Sequence, residues 1–153
     1  MSYYDQLSKR VLESIRSGRL GQPVFVRVIA PVSPGQPNSR AVLEPWIAAV
    51  GGWIGSSLER LYVAESADRG DTTVTLQFRS GASALVSTYR AGVGLRDLDV
   101  LMLGNRGAAY FQGGGDTLAS AESWIPSLAG ATGVRAALER SVRSGRPEPV
   151  TEE

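Results

Sequence analysis

Between Asp71 and Tyr110 the chain alternates apolar and polar positions with a period of two. Val74, Leu76 and Phe78 alternate with Thr73, Thr75, Gln77 and Arg79, which sends the two sets to opposite faces of a strand. Ser80-Gly81-Ala82 predicts a turn and Ser83 to Arg90 a returning strand. After Ala91-Gly92-Val93-Gly94, Leu95 to Leu103 forms a third run, and Asn105-Arg106-Gly107 leads into Ala108 to Gln112. Short strands joined by tight turns predict an antiparallel meander.

Upstream, Tyr4, Leu7, Val11, Leu12 and Ile15 fall on one helical face, and Gly18 stops the helix after a basic last turn. Val24 to Ala30 predicts a strand with Phe25, Arg27 and Ile29 on one face and Val24, Val26 and Val28 on the other. Apolar residues on both sides predict a central, covered strand. Pro31, Pro34 and Pro37 make 31–40 a loop, suited to binding or to plain connection. Ala41 to Trp53 predicts an apolar helix interrupted at Pro45 and Gly51-Gly52, and Leu58 to Ala64 another strand. Trp46 and Trp53 suit either core packing or a pocket wall. Thr117 to Glu122 reads as a short strand and Trp124 to Ala129 as an irregular cover. Val134, Ala137, Leu138 and Val142 mark a last helix, stopped by Gly145. Arg16-Ser17-Gly18-Arg19 recurs as Arg143-Ser144-Gly145-Arg146, one helix-stop solution used twice.

The predicted fold is α+β: an open, mostly antiparallel β-sheet with helices packed on one face. Residues 1–146 form a single domain, with a leading helix over 1–20, the sheet over 24–122, an inserted helix near 41–54 and a closing helix over 131–145. Residues 147–153 are expected to be a mobile tail.

The 153 residues suffice for one core, since a domain of this size buries about 68–70% of its unfolded surface. The net charge of +1, spread along the chain, gives no general pull toward nucleic acid or anionic membrane. The chain contains no Cys and no His, which excludes a disulfide framework and removes the usual neutral-pH base. The N-terminal residues lack a signal peptide's apolar stretch, and no apolar run approaches the roughly 20 residues that span a bilayer. A cytoplasmic protein is expected.

No catalytic or metal-binding constellation appears by spacing. Asp97 and Asp99 share a strand face, suiting a cation site or a solvated edge. A serine nucleophile lacks a histidine base, and Lys9, the only lysine, sits on a polar helix face. Gly92-Val93-Gly94 begins like a dinucleotide fingerprint but has Asp97 where the third glycine belongs. Gly113-Gly114-Gly115 has no following helix start to supply a phosphate-binding dipole.

The order of pieces resembles the C-terminal half of Gfo/Idh/MocA oxidoreductases, the glucose–fructose oxidoreductase and inositol dehydrogenase relatives. The resemblance rests on the leading helix, the passage from Ser17 to Val28, the Trp-bearing helix and the Asp71-to-Ala82 strand and turn. It is completed by Val142 to Val150, similar to the family's S-x-x-x-G-x-P-x-P-V passage. It implies an open sheet domain that covers substrate and mediates oligomerisation, beside a Rossmann domain that binds NAD(P) and is not in this chain. The family's Asp-x-x-x-His would fall at Val42 and Trp46, so the proton-transfer residues are replaced.

Two readings follow from the resemblance. In the first, the chain is a non-catalytic oligomerisation or protein-interaction module. It dimerises through the sheet face bearing Thr73, Thr75, Gln77 and Arg79, or docks a full-length oxidoreductase. In the second, it is the substrate-binding subunit of a split sugar or polyol oxidoreductase, with NAD(P) held by a separate Rossmann partner. Arg27, Tyr89, Arg90 and Trp46 are then the ligand-binding candidates, by directional hydrogen bonding from Arg and Tyr. A third possibility is a new activity built on carboxylates such as Asp97 and Asp99.

Overall fold

A computed structural model describes residues 3–32, 40–66, 71–90, 98–113 and 132–151. Helix α1 (Tyr3–Arg16) buries Tyr4, Leu7 and Val11, the positions its 3.6-residue period selects. Strand β1 (Pro23–Val32) and helix α2 (Arg40–Ile54) follow, then β2 (Leu58–Glu65), β3 (Asp71–Phe78), β4 (Ser83–Arg90), β5 (Leu98–Gly104) and β6 (Ala108–Gly113). Helix α3 (Thr132–Ser144) and the two-residue strand β7 (Glu148–Pro149) complete the described chain.

The strands form a 7-stranded sheet in the order β6-β5-β1-β4-β3-β2-β7. Every pair is antiparallel except β1 with β4. This corrects the expectation of a continuous meander. Consecutive strands do pair from β2 to β4 and from β5 to β6, but β1 is wedged between β4 and β5. The reason is burial: β1 is apolar on both sides, and a central position covers more of it than an edge would.

The helices pack on one face. A single row across the sheet, Phe111, Val100, Val28, Val86, Val74 and Val63 in register, lies wholly in the core beneath them. Helix α2 is continuous through Pro45 and Gly51-Gly52, where a break was expected, and ends at Gly55 with φ of 72°. A proline within a helix costs about 3 kcal/mol, whereas each buried large apolar side chain contributes roughly 1.5–3 kcal/mol. Leu43, Trp46, Ile47, Val50, Trp53 and Ile54 are all buried, so packing decides. Trp46 meets Tyr4 edge-on at 5.8 Å and Trp53 at 6.4 Å between ring centroids. Burial raises the Tyr4 pKa above its ordinary value, opposed by a hydrogen bond with Ser8 and reinforced by Asp5.

Both helix stops recur as the sequence implies: Gly18 and Gly145 have φ of 77° and 65°, a region only glycine enters without strain. The expected mobile tail is instead docked. Glu148 and Pro149 pair with Leu61 and Arg60, and Val150 N donates to Glu59 O at 2.9 Å. Ser141, fully buried, accepts from Val63 N at 2.9 Å and donates to Arg146 O at 2.8 Å. The S-x-x-x-G-x-P-x-P-V passage is therefore a clasp: the serine holds the sheet edge, the glycine turns the helix, and the prolines lie along β2. The residues read as a strand at 117–122 and a cover at 124–129 lie outside the described residues.

Candidate functional site

The sheet face opposite the helices carries the most unusual surface. Its rows follow from the same registers. Tyr110, Leu101, Arg27, Leu85, Thr75 and Tyr62 form one row, directly beside the buried row but pointing the other way. The neighbouring rows run Leu103, Phe25, Ser83, Gln77, Arg60 and Asp99, Ile29, Ser87, Thr73, Ala64. The face therefore divides in two. On β1, β5 and β6 it is apolar, with Phe25, Ile29, Leu101, Leu103 and Tyr110. On β2, β3 and β4 it is mostly hydroxyl, amide and charge. Leu103 and Tyr110 are 36% and 52% exposed, unusual for large apolar side chains.

At the centre of the apolar half stands one polar cluster. Arg27 donates from Nη2 to Asp99 Oδ1 at 3.1 Å, and Tyr110 Oη donates to Asp99 Oδ2. Three strands thus contribute a cation, an anion and a phenol that neutralise one another across the surface. The Arg27 Nε is itself buried and has no hydrogen-bond partner. Covering this patch would take Arg27 and Asp99 out of water together, with their mutual attraction offsetting part of the desolvation cost.

The sequence-derived residues distribute unevenly. Thr73, Thr75 and Gln77 do share the open face, with Thr73 Oγ1 and Ser87 Oγ in a hydrogen bond of 2.8 Å. They occupy its polar half. Arg79 lies past the end of β3, exposed in the turn, where its N donates to Ser57 O. The four ligand-binding candidates are not brought together. Arg27 is on the open face and Trp46 is buried in the core on the other side of the sheet. Tyr89 is also buried, in register with Pro31 and Asp71, four residues along β4 from Leu85 opposite Arg27; at the strand rise that is about 13 Å. Arg90 closes β4 in register with Val32. Asp97, half of the carboxylate pair, lies outside the described residues, as does the Gly92-Val93-Gly94 segment; Asp99 is engaged by Arg27 and Tyr110. Among the described residues no group of His, Cys, Asp and Glu is placed to hold a metal, and no helix is long and apolar enough to cross a membrane.

The apolar half was missed by reading β3 as the informative strand. Its signal is the run Leu98-Asp99-Val100-Leu101-Met102-Leu103, apolar at both parities like β1. Such a strand is one whose two faces are both to be covered. The helices cover one.

No family model and no curated protein matches the sequence. Solved structures do. A probable dehydrogenase from Thermotoga maritima matches with a TM-score of 0.74 at 15% identity, over 96% of this chain and 62% of its own. The myo-inositol dehydrogenase from Lactobacillus casei, solved with NAD(H) and myo-inositol, matches with a TM-score of 0.75 at 16% identity, over 98% and 60%. The chain has the fold of the C-terminal domain of Gfo/Idh/MocA-type dehydrogenases. The WlbA dehydrogenase from Bordetella pertussis, in complex with NADH and UDP-GlcNAcA, shares it with a TM-score of 0.67 at 16% identity, over 95% and 60%. The chain thus spans less than two thirds of each of these Gfo/Idh/MocA-type structures.

In this Gfo/Idh/MocA-type fold, the positions expected to hold Asp-x-x-x-His are filled by Val42 and Trp46, 2% and 1% exposed. Both are core residues. Neither side chain titrates, and both serve packing in this fold.

Proposed function

We propose that this chain is a non-catalytic oxidoreductase-family C-terminal domain that acts as an association module, pairing with a second copy through its open sheet face. The observation that carries it is the two-sided apolar character of β1 and β5. Phe25, Ile29, Leu101 and Leu103 face away from the helices, around the Arg27–Asp99 ion pair. Covering this patch with its own equivalent removes apolar area from water on both copies. Thr73, Thr75 and Gln77 then serve as the polar rim. Light scattering coupled to size exclusion, from low to high micromolar protein, is expected to show a dimer or larger. A strict monomer throughout overturns the reading.

A second reading is supported by the likeness to a dehydrogenase solved with NAD(H) and myo-inositol. Here the chain is the substrate-side part of a two-part sugar or polyol oxidoreductase, with the dinucleotide held by a separate Rossmann chain. Val42 and Trp46 speak against proton transfer from α2, so any catalytic base would come from the partner. Thermal-shift titration with myo-inositol and NAD(H), alone and with co-purified partners, tests it. No shift under any combination sinks it.

A further inference from the structure

The open face sets four apolar side chains around one cation. In register, Arg27 lies between Leu101 on β5 and Leu85 on β4, and along β1 it lies between Phe25 and Ile29. Apolar contact is non-directional, so these four residues alone would let two copies slide or rotate over one another at little cost. The polar cluster is the part of the patch that has a direction.

The bonding of that cluster is incomplete within one copy. A guanidinium carries five N–H donors. Arg27 places Nη2 on Asp99 Oδ1, and its Nε is buried without an acceptor. Asp99 receives one bond at each oxygen, from Arg27 and from Tyr110, although a carboxylate offers about four lone-pair sites. The side chains of Arg27 and Asp99 are 36% and 20% exposed, so both charged heads reach the surface. A second cluster turned against this one adds an acceptor for the outer guanidinium nitrogens and a donor for the carboxylate.

We propose, resting on the association reading above, that the two clusters meet across the two-fold axis of the pair, with Arg27 of each copy bonded to the partner's Asp99. In a two-fold interface residue i meets j and j meets i. Stacked sheets lie about 10 Å apart, a gap that side chains from both faces fill together. An axis running through the apolar half between Arg27 and Asp99 lays each cation over the opposite anion. A slide or rotation away from it sets the ions against the surrounding apolar side chains, out of water and with only their own-chain partner. The reciprocal pairing thus selects one orientation of the two copies, which apolar contact by itself does not.

Complementation of two variants tests this. Arg27→Asp puts two carboxylates in the cluster and Asp99→Arg two guanidinium groups, so neither variant can form the ion pair within its own copy or with an identical one. Each alone is expected to raise the dimer dissociation constant by at least about tenfold, because like charges are brought together out of water. In an equimolar mixture opposite charges face each other only between copies, and a mixed dimer within about tenfold of the parent's affinity is expected by analytical ultracentrifugation. Circular dichroism checks the fold of both. Should either variant unfold, Arg27→Lys with zero-length carbodiimide coupling replaces it, since Lys9 is the chain's only lysine and the introduced amine is readily assigned. Mixed isotopically light and heavy copies are then expected to yield a light–heavy peptide joining positions 27 and 99. A parent that is monomeric at every concentration removes the association reading and this one with it. A dimeric parent leaves association standing, and three results then overturn the reciprocal pairing: mixed variants that stay monomeric, a single variant that dimerises as tightly as the parent, or crosslinks confined within single copies.

Discussion

Two adjacent rows of the same six strands end up in opposite circumstances. Phe111, Val100, Val28, Val86, Val74 and Val63 are sealed under helices; Tyr110, Leu101, Arg27, Leu85, Thr75 and Tyr62 are offset by one residue or so along each strand and face outward. The inner row is uniform because one core must be filled at close to crystalline density. The outer row changes character halfway, from apolar on β5 and β6 to polar on β3. A surface designed only for water has no use for the first half. The difference separates the side where the fold is made from the side on which the proposed association would lie.

The sharpest way to break the comparison is to empty the covered side. Trp46→Ala removes an indole packed against Tyr4 and Trp53 and is expected to cost about 3–5 kcal/mol. That is a large part of a domain's whole stability, and urea denaturation followed by far-ultraviolet circular dichroism reads it. Ser141→Ala comes next. It leaves Val63 N and Arg146 O without their hydroxyl partner in a buried setting, with an expected loss of about 1–3 kcal/mol. A loss well below that would mean that the clasp at the β2 edge contributes little and that pairing by β7 suffices.

Much of the covered side was legible in the sequence. The period-two alternation of Val74, Leu76 and Phe78 and the stripe of Tyr4, Leu7 and Val11 depend only on local geometry, which residue order encodes directly. The position of β1 was not, because a parallel neighbour is chosen by burial over the whole sheet and leaves no turn signal between Val32 and Ser83. Helix α2 ran through Pro45 and Gly51-Gly52 because tertiary packing outweighs propensity. Ser141 was not singled out, because its role depends on Val63, distant in sequence. On the open face, Thr73, Thr75 and Gln77 were correctly placed together by alternation. The apolar half escaped because Leu101 and Leu103 sit among residues that are apolar on both sides, and a two-sided pattern does not say which side the chain itself covers.

Smaller effects sharpen the boundary between the two sides. Asp99→Asn removes the anion shared by Arg27 and Tyr110 on a partly exposed surface, so its expected cost in the isolated chain is about 0.2–1 kcal/mol. A clearly larger cost at high protein concentration marks the cluster as buried in an assembly. Tyr4 supplies a pH test of the covered side. Its pKa is about 10 in an unfolded chain and is raised by burial in the folded one. Below pH 10 the phenol is neutral in both states and the stability is fully present. Above it the unfolded chain ionises first, so stability falls as pH rises through the folded value. Tyr4→Phe is expected to remove that part of the alkaline slope while changing neutral-pH stability little, as measured by thermal unfolding across pH 9 to about 11.

The smallest effect on folding is the most informative about association. Leu103 is 36% exposed at the far end of the apolar half, so Leu103→Glu is expected to shift the stability of the isolated chain by no more than about 0.5 kcal/mol. On the open face of an assembled pair, however, the same carboxylate would be brought out of water within the apolar half, at a desolvation cost. Light scattering is therefore expected to show a monomer for the variant where the parent is a dimer, with matching circular dichroism. The parent's thermal midpoint should rise with protein concentration and the variant's should not, because association stabilises only the state that associates. A variant that unfolds would place Leu103 in the core and erase the distinction between the rows. A variant that remains a dimer would keep the distinction but move the partner off the apolar half.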